Sequence, residues 1–279
     1  MSTAPPQSSS LDAWAGQHPW HPRVTPWFVY MIFLTVALFA REWQPVTYIP
    51  IKLLQTLVVC GLIWRWRHLT PELNWKFHWS VIPVSLFLTG AWIYLNKGMV
   101  ALFPGLGDAE PSFFEQLAAD DSGGILWTAA IAHLIAMCTA VPMIEEVFNR
   151  SLLLRSLSSA RTTGIGLMQL LCDMPIIGDW LIHTKPGTRA TQMEPVFGPQ
   201  FERTPLGELS LFGIIASSVV FALVHATRDW PGAIVCGVTW CIMLNRTRHL
   251  GLGPIIWSHA LVNLLLWGHV MYHHEWQFM

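Results

Sequence analysis

Long apolar segments are the feature that most constrains how this chain can fold. Seven of them lie near residues 26–40, 46–64, 79–103, 125–157, 206–226, 231–245 and 252–272. A helix needs roughly 20 apolar residues to cross the hydrocarbon core of a bilayer, and several of these segments approach that length. The sequence therefore predicts an all-α fold, a polytopic transmembrane helical bundle of about seven or eight spans.

Composition excludes several other classes of protein. Hydrophobic residues make up 53% of the 279 residues and charged residues only 12%, which rules out a disordered chain or a coiled coil. Lys and Arg total 16 against 17 Asp and Glu, so the net charge of −1 creates no field that would attract nucleic acid. We expect membrane lipid as a partner and no nucleic acid.

The chain divides into a short tail and one membrane domain. Residues 1–25 form an N-terminal polar tail in this prediction, and residues 26–279 form a single integral membrane domain. Within it, residues 158–205 look like an inserted cytoplasmic loop. An eighth apolar segment at 164–182 contains two Asp and a Pro, which favours an interfacial or re-entrant element over a span.

Charge in the loops predicts the orientation. Arg65, Arg67 and Lys76 follow the second apolar segment, whereas the loop at 104–124 carries Asp and Glu but no Lys or Arg. Because basic loops stay in the cytoplasm, the alternating segments place the N-terminus of this multi-pass protein on the cytoplasmic side.

An acidic pair and an arginine lie within or beside the fourth apolar segment. Glu145, Glu146 and Arg150 are flanked by apolar residues in AVPMIEEVFNRSLLL. Glu146 and Arg150 have the spacing of a helical ion pair, while Glu145 is turned by about 100° from Glu146. One carboxyl would then be left free in a low dielectric, where carboxyls titrate nearer neutrality, as a general base requires. Alternatively, both glutamates share Arg150 as a structural clamp.

Two later segments add polar side chains in apolar surroundings. His225 follows Phe221 by one helical turn, with Asp229 as a possible partner, and such a histidine is more often a packed core residue than a catalyst. His259 and Asn263 are four residues apart and therefore share a helical face. The pair could equally be an interhelical hydrogen-bond contact.

Together these residues provide what amide hydrolysis needs. Glu145 could take a proton from water, His225 could position that water or protonate the leaving amine, and His259 with Asn263 could donate to the oxyanion. An alternative uses Glu145, His225 and His259 as zinc ligands with an open water position. No H-E-x-x-H spacing occurs, so we expect no cofactor and keep zinc as the alternative.

The three motifs, E-E-x-x-x-R, F-x-x-x-H and H-x-x-x-N, resemble those of the CAAX prenyl protease and bacteriocin-processing (CPBP) family of intramembrane endopeptidases. The resemblance covers about residues 125–272. It implies a helical fold around a conical cavity, and hydrolysis of a peptide bond near the C-terminus of a membrane-attached peptide or protein. It also implies that Glu145 and His225 activate water and that His259 and Asn263 form the oxyanion site.

The same resemblance implies that Glu146 and Arg150 support the structure of the site. The end of the chain is similar to a bacterial subgroup of CAAX prenyl protease-related proteins associated with exosortase systems. This similarity implies a bacterial inner (plasma) membrane.

Two positions depart from the family pattern. Asn149 stands where an aromatic residue is usual, and Ser151 where glycine is common. Asn149 lies four residues after Glu145, so a hydrogen bond to that carboxylate would weaken it as a base. This departure favours an alternative function, a non-catalytic membrane binding or immunity module that keeps the protease fold and uses the loop at 158–205. An ion or proton transporter with Glu145 as a relay is a third alternative.

Alternating spans also create a conflict of depth. They place Glu145 toward the inner half of its segment and His225 toward the outer end of its own, although catalysis needs them together. Either the segment 164–182 re-enters the membrane, or the helix that carries Glu145 begins later than residue 125 and is tilted.

Overall fold

The computed structural model describes residues 10–106, 112–120, 123–159, 164–174, 176–196 and 200–278. Regular structure within these ranges is entirely helical. The α-helices, in chain order, are α1 (Ser10–Ala15), α2 (His21–Trp43), α3 (Tyr48–Arg65), α4 (Val81–Leu102), α5 (Phe113–Ala119), α6 (Gly123–Cys138), α7 (Ala140–Glu146), α8 (Leu154–Ser159), α9 (Gly164–Cys172), α10 (Ile177–Leu181), α11 (Lys185–Ala190), α12 (Phe201–Arg203), α13 (Leu211–Leu223), α14 (Trp230–Thr247) and α15 (Gly253–His273). A π-helical stretch, Val147–Leu153, joins α7 to α8.

The helices confirm the predicted all-α polytopic bundle. Each of the seven predicted apolar segments is helical. Within the described residues, four segments are long and apolar enough, by length and composition, to cross a membrane: His21–Trp43, Pro45–Arg65, Gly123–Ser159 and Gly253–His273. Helix α13 is apolar but shorter, and α4 and α14 contribute 22 and 18 residues. The chain is therefore an integral membrane protein whose spans differ in length and polarity.

The N-terminal boundary differs from the sequence prediction. Helix α2 begins at His21 rather than at residue 26, with Pro22 in its first turn, where proline needs no hydrogen-bond donor. Arg23 is buried and pairs with Glu72 at 2.7 Å. The part of the predicted polar tail after residue 9 is thus folded against the bundle, because a buried ion pair and aromatic side chains hold it there.

A break at Thr139 divides the long apolar segment that carries Glu145. The segment Gly123–Ser159 has 37 residues, about 55 Å of helix, which exceeds a hydrocarbon core of about 30 Å. Thr139 has φ −123° and ψ −79° and separates α6 from α7. The helix that carries Glu145 therefore begins at Ala140, later than residue 125, as one of the two possibilities raised by the sequence requires.

The described part of the predicted insertion contains short helices. Helices α9 and α10 have 9 and 5 residues, so neither can span a membrane alone. The backbone N–H of Val196 donates to the Asp173 carboxylate at 2.5 Å, which joins the end of α9 to the loop after α11. Pro175, parts of the insertion and parts of the loop at 104–124 lie outside the described residues.

Small residues let α13 and α14 approach closely. A Cβ atom built on Gly237 of α14 would lie 2.7 Å from the Cβ atom of Ser218 on α13. Without a hydrophobic driving force between spans, close packing of such small residues is a main source of helix association in membranes. This contact fixes α13, which carries Phe221 and leads into His225, against the rest of the bundle.

We predict that Gly237→Ala destabilises the fold by about 1–3 kcal/mol, because α13 must move to admit the added methyl group. Thermal unfolding in detergent, followed by circular dichroism, measures the change. Gly268→Ala in α15 is the matched control, since a Cβ atom there meets nothing within 4 Å. Equal melting temperatures for the two variants would contradict the close approach of α13 and α14.

Candidate active site

Glu146 and Arg150 form a buried pair beneath the site. Both side chains are fully buried, and Arg150 Nε lies 3.3 Å from Glu146 Oε2, which confirms the ion pair predicted from their spacing. The guanidinium group of Arg150 also lies over two aromatic rings, 5.2 Å from the centre of Phe221 and 5.7 Å from that of Trp240. Phe221 of the F-x-x-x-H motif is therefore in contact with the arginine of the first motif.

Glu145 occupies a different environment from its neighbour. Its side chain is 14% exposed, and its Oε2 atom lies 3.8 Å from His259 Nε2. That oxygen accepts no hydrogen bond within the described part of the chain. Among the ion pairs of the described residues, Arg150 joins only Glu146, so the two carboxylates do not share it as a clamp. Glu145 is thus the carboxylate available to a ligand.

His259 lies between the two glutamates. Its Nδ1 atom lies 2.8 Å from Glu146 Oε1 and donates to that carboxylate, which leaves Nε2 facing Glu145. The imidazole ring stacks on Trp240 at 4.5 Å between ring centres. The indole N–H of Trp240 in turn donates to Ser258 Oγ at 3.0 Å. Hydrogen bonding on one edge and stacking on one face therefore fix the orientation of this ring.

His225 lies just past the end of α13. Its Nδ1 donates to the carbonyl oxygen of Phe221 at 2.7 Å, so its Nε2 is free to interact with a ligand. The ring packs against Phe221 and Trp92. The sequence suggested Asp229 as a partner for His225. In the structure Asp229 accepts a hydrogen bond from Asn96 at 2.6 Å. Burial raises the pKa of Asp229, and the hydrogen bond from Asn96 opposes that rise.

Asn263 lies one turn after His259 on α15. Its Nδ2 donates to the carbonyl oxygen of Met137 at 2.7 Å, near the break between α6 and α7. A side-chain amide nitrogen carries two hydrogens, so one N–H remains for a ligand. The side chain is half-buried, and the hydrogen bond to Met137 holds it in place.

One cavity of about 300 Å³ brings the four sequence-predicted residues together. Glu145, His225, His259 and Asn263 all contribute to its wall. Aromatic and aliphatic side chains supply much of the remainder, including Trp92, Phe221 and Trp240. Mostly apolar walls with a few convergent polar groups are typical of ligand-binding and catalytic pockets.

The two departures from the family pattern have structural partners. Asn149 donates from Nδ2 to the backbone carbonyl of Glu145 at 3.0 Å, not to its carboxylate, so the expected weakening of the base does not arise from this contact. Ser151 donates to the Glu72 carboxylate and accepts a hydrogen bond from Arg23 Nε at 3.0 Å. A serine at this position therefore completes the buried Arg23–Glu72 pair.

Sequence reasoning missed several polar residues near the cavity. His133 and Arg228 line its wall, and the Tyr48 hydroxyl lies 2.9 Å from His133 Nδ1. Lys52 is buried in α3 and donates to the hydroxyl of Tyr30 at 3.0 Å. Lys52 and His133 could have been found from the sequence, since each is an ionisable residue inside an apolar segment.

The described residues contain no group of three or more His, Cys, Asp or Glu side chains arranged to hold a metal ion. Glu145, His225 and His259, the alternative zinc ligands, line one cavity without forming such a group. Nδ1 of His259 is bonded to Glu146 and Nδ1 of His225 to the Phe221 carbonyl, which leaves Nε2 of each histidine for a ligand.

The fold and the cavity define a multi-pass membrane protein with a polar site enclosed by its helices. Residues 192–265 match the family model described as Rce1-like, type II CAAX prenyl endopeptidase Rce1-like. The match supports the CPBP resemblance, and at the level of the family it supports a CAAX-type intramembrane protease. It includes the F-x-x-x-H and H-x-x-x-N motifs but begins only after Glu145, so the acidic motif lies outside it. Neither the curated proteins nor the solved structures contain a match to this chain.

We predict that Arg150→Met costs about 3–5 kcal/mol of stability, because it leaves the buried Glu146 carboxylate without its cation. Adding Glu146→Gln removes that uncompensated charge, so the double variant is expected to be more stable than Arg150→Met alone. Detergent-solubilised protein unfolded with a denaturant provides the measurement. Arg246→Met, an exposed change in the same protein, is the control. A double variant less stable than Arg150→Met alone would show that the unpaired charge of Glu146 is not what destabilises the single variant.

Proposed function

We propose that this protein is an intramembrane endopeptidase that hydrolyses a peptide bond with water activated by Glu145. One observation carries the proposal: a carboxylate from α7, an imidazole just past α13, and an imidazole and a side-chain amide from α15 line the same cavity. The match to an endopeptidase family over residues 192–265 supports the same class of reaction.

Glu145 and His225 are the proposed groups that activate water. Glu145 lines the cavity and its Oε2 accepts no hydrogen bond in the described structure, so we assign to its carboxylate the proton taken from water. His225 donates from Nδ1 to the Phe221 carbonyl, which leaves Nε2 to position the same water. The water oxygen attacks the peptide carbonyl carbon as its proton passes to Glu145. That proton then moves to the leaving nitrogen, directly or through His225, as the C–N bond breaks.

His259 and Asn263 are the proposed donors to the oxyanion. Because Nδ1 of His259 donates to Glu146, a proton on Nε2 makes the ring a doubly protonated imidazolium. Its Nε2–H and the unused N–H of Asn263 can then hydrogen-bond the negative oxygen that develops in the tetrahedral intermediate. Both side chains are fixed by other contacts, His259 by Glu146 and Asn263 by the Met137 carbonyl. Donors held in place beforehand need no reorganisation during the reaction, which is what makes them effective.

Glu146 and Arg150 act as positioning residues in this proposal. Neither lines the cavity, and both are fully buried. Glu146 accepts a hydrogen bond from Nδ1 of His259. This contact holds the ring so that Nε2 faces Glu145. Arg150 compensates the charge of Glu146 without reaching the reacting atoms.

The proposed substrate is a membrane-attached peptide or protein, cleaved near its C-terminus. A cavity enclosed by apolar helices favours a substrate that is already held at the bilayer. The proposal includes the cytoplasmic N-terminus, a bacterial inner membrane and membership of the exosortase-associated subgroup. We also propose that catalysis needs no metal. The alternative is a zinc ion bound by Glu145, His225 and His259.

The principal alternative is a non-catalytic binding or immunity module with the same fold. Its motivation from sequence was a hydrogen bond from Asn149 to the Glu145 carboxylate, whereas Asn149 bonds the backbone carbonyl instead. The alternative predicts that variants of the cavity residues keep full biological effect while deletion within 158–205 abolishes it.

We predict that Glu145→Gln lowers kcat by about 10²–10⁴-fold, because the neutral amide cannot accept the proton of water. Hydrolysis of acylated reporter peptides by the purified protein in detergent or liposomes measures the effect. Glu42→Gln, the same change at an exposed position, is the matched control and is expected to keep the wild-type rate. Unchanged turnover in Glu145→Gln would eliminate Glu145 as the base.

Asn263→Ala is expected to lower kcat by about 10²–10³-fold with little change in KM, because its donor acts on the oxyanion and not on the bound substrate. The control is Asn245→Ala. Asn245 is also half-buried and also donates from Nδ2 to a backbone carbonyl, that of Gly207 at 2.9 Å, but it does not line the cavity. Equal loss of rate in the two variants would mean that the amide of Asn263 acts only through stability.

A further inference from the structure

The segment that follows α15 covers one side of the cavity. We refer to residues 275–278 as the strap. Gln277 and Phe278 contribute to the cavity wall together with the four proposed catalytic residues. Trp276 is buried and packs with one of the hydrophobic clusters of the bundle. Part of this chain therefore occupies space beside the reacting groups.

Ionic contacts hold the strap at its first residue. Glu275 accepts hydrogen bonds from Lys97 of α4 and from His269 of α15, each at 2.7 Å. These bonds, with that from Lys97 the larger influence, hold the pKa of Glu275 below its usual range. Lys97 is about half exposed, so this anchor contributes modestly and can be broken.

Arg228 holds the strap at its other end. Its Nη2 donates to the backbone carbonyl of Gln277 at 3.1 Å, and its side chain lines the cavity. Its Nε–H is buried and has no hydrogen-bond partner in the part of the chain that the structure describes. The carboxylate of Asp229, next in the chain, is hydrogen-bonded by Asn96. Arg228, whose side chain lines the cavity, thus keeps a buried donor unused while it binds the backbone carbonyl of Gln277.

We propose that Arg228 binds a backbone carbonyl of the peptide substrate and that the strap competes with the substrate for this guanidinium group. This inference rests on the proposed function, since it assigns the peptide-binding residue and the regulation of the same cavity. The Gln277 carbonyl occupies the position of a substrate carbonyl in the closed arrangement. Loss of the Glu275 contacts frees the strap, and an incoming peptide then accepts hydrogen bonds from both Nη2 and Nε.

The chemistry of the contact defines the ligand class. A guanidinium group binds oxygen acceptors, and an extended peptide supplies such an acceptor at every residue. A backbone contact discriminates little between side chains, so Arg228 would fix the position of the peptide and leave side-chain preference to the apolar wall. A peptide carboxylate would bind the same group more tightly than a carbonyl.

Equilibrium binding of an acylated, fluorescein-labelled decapeptide to protein carrying Glu145→Gln tests this proposal without requiring turnover. In that background, Glu275→Gln is expected to tighten binding by about two- to fivefold, because it weakens the strap. Arg228→Gln is expected to weaken binding by about tenfold or more, and Arg228→Lys to restore part of the loss. Glu202→Gln, at an exposed position away from the cavity, is the control.

Arg228→Gln distinguishes binding of the substrate from holding of the strap. If Arg228 only held the strap, its replacement would tighten peptide binding instead of weakening it. Tighter binding by Arg228→Gln, or equal affinities for all the variants, overturns the proposal. Hydrogen exchange of the amides at 276–278 should increase in Glu275→Gln, and unchanged exchange also overturns it. Failure of the proposed function has a different signature: the peptide binds as described, but the protein with Glu145 intact does not cleave it.

Discussion

The buried carboxylate of Glu146 is the constraint on which the rest of the site depends. It contacts a guanidinium group on one side and an imidazole on the other, at 3.3 Å and 2.8 Å. A charge inside an apolar bundle is costly unless it is paired and hydrogen-bonded, so the partners of Glu146 are not free to move. The aromatic rings of Phe221 and Trp240 complete the enclosure of Arg150. Fixing one carboxylate in this way fixes His259 and leaves the adjacent Glu145 for the cavity.

The backbone around this pair is irregular where the site requires it. Thr139 interrupts the long helical segment, and the chain becomes π-helical directly after Glu146. Such π-helical insertions often occur at functional sites because they change the direction of side chains within a continuous helix. The break also frees the carbonyl of Met137, which the amide of Asn263 binds. Two local departures from a regular helix thus bring residues from distant segments to one cavity.

Much of the fold could be predicted from the sequence, because burial in lipid leaves few alternatives to helices. The pairing of Glu146 with Arg150 followed from helical spacing, and the separate environment of Glu145 followed from the 100° turn between adjacent residues. The break at Thr139 has a signal in the sequence that the prediction of one apolar segment at 125–157 missed: Pro142 has no N–H for the carbonyl of Cys138, and its ring crowds that carbonyl. The start of α2 at His21 was also missed, since its first turn is polar and held by a long-range pair with Glu72.

The partners of individual side chains lay beyond sequence reasoning. Asn149 has the spacing to reach the carboxylate of Glu145 and instead bonds its backbone carbonyl, a choice that depends on the local π-helical geometry. Arg228 and the strap meet only in the folded protein, because 49 positions separate Arg228 from Gln277. The four residues indicated by the motifs do share a cavity, while their catalytic roles stay predictions.

The separation between the Glu145 carboxyl carbon and His259 Nε2 tests the central claim most directly. Solid-state NMR can measure it as a ¹³C–¹⁵N dipolar coupling in protein labelled at Glu and His and reconstituted in lipid. The structure places the Glu145 oxygen 3.8 Å from that nitrogen, so the account predicts a clear coupling that disappears in Glu145→Ala. The absence of any coupling, or a distance near one helix diameter of about 10 Å, would contradict it.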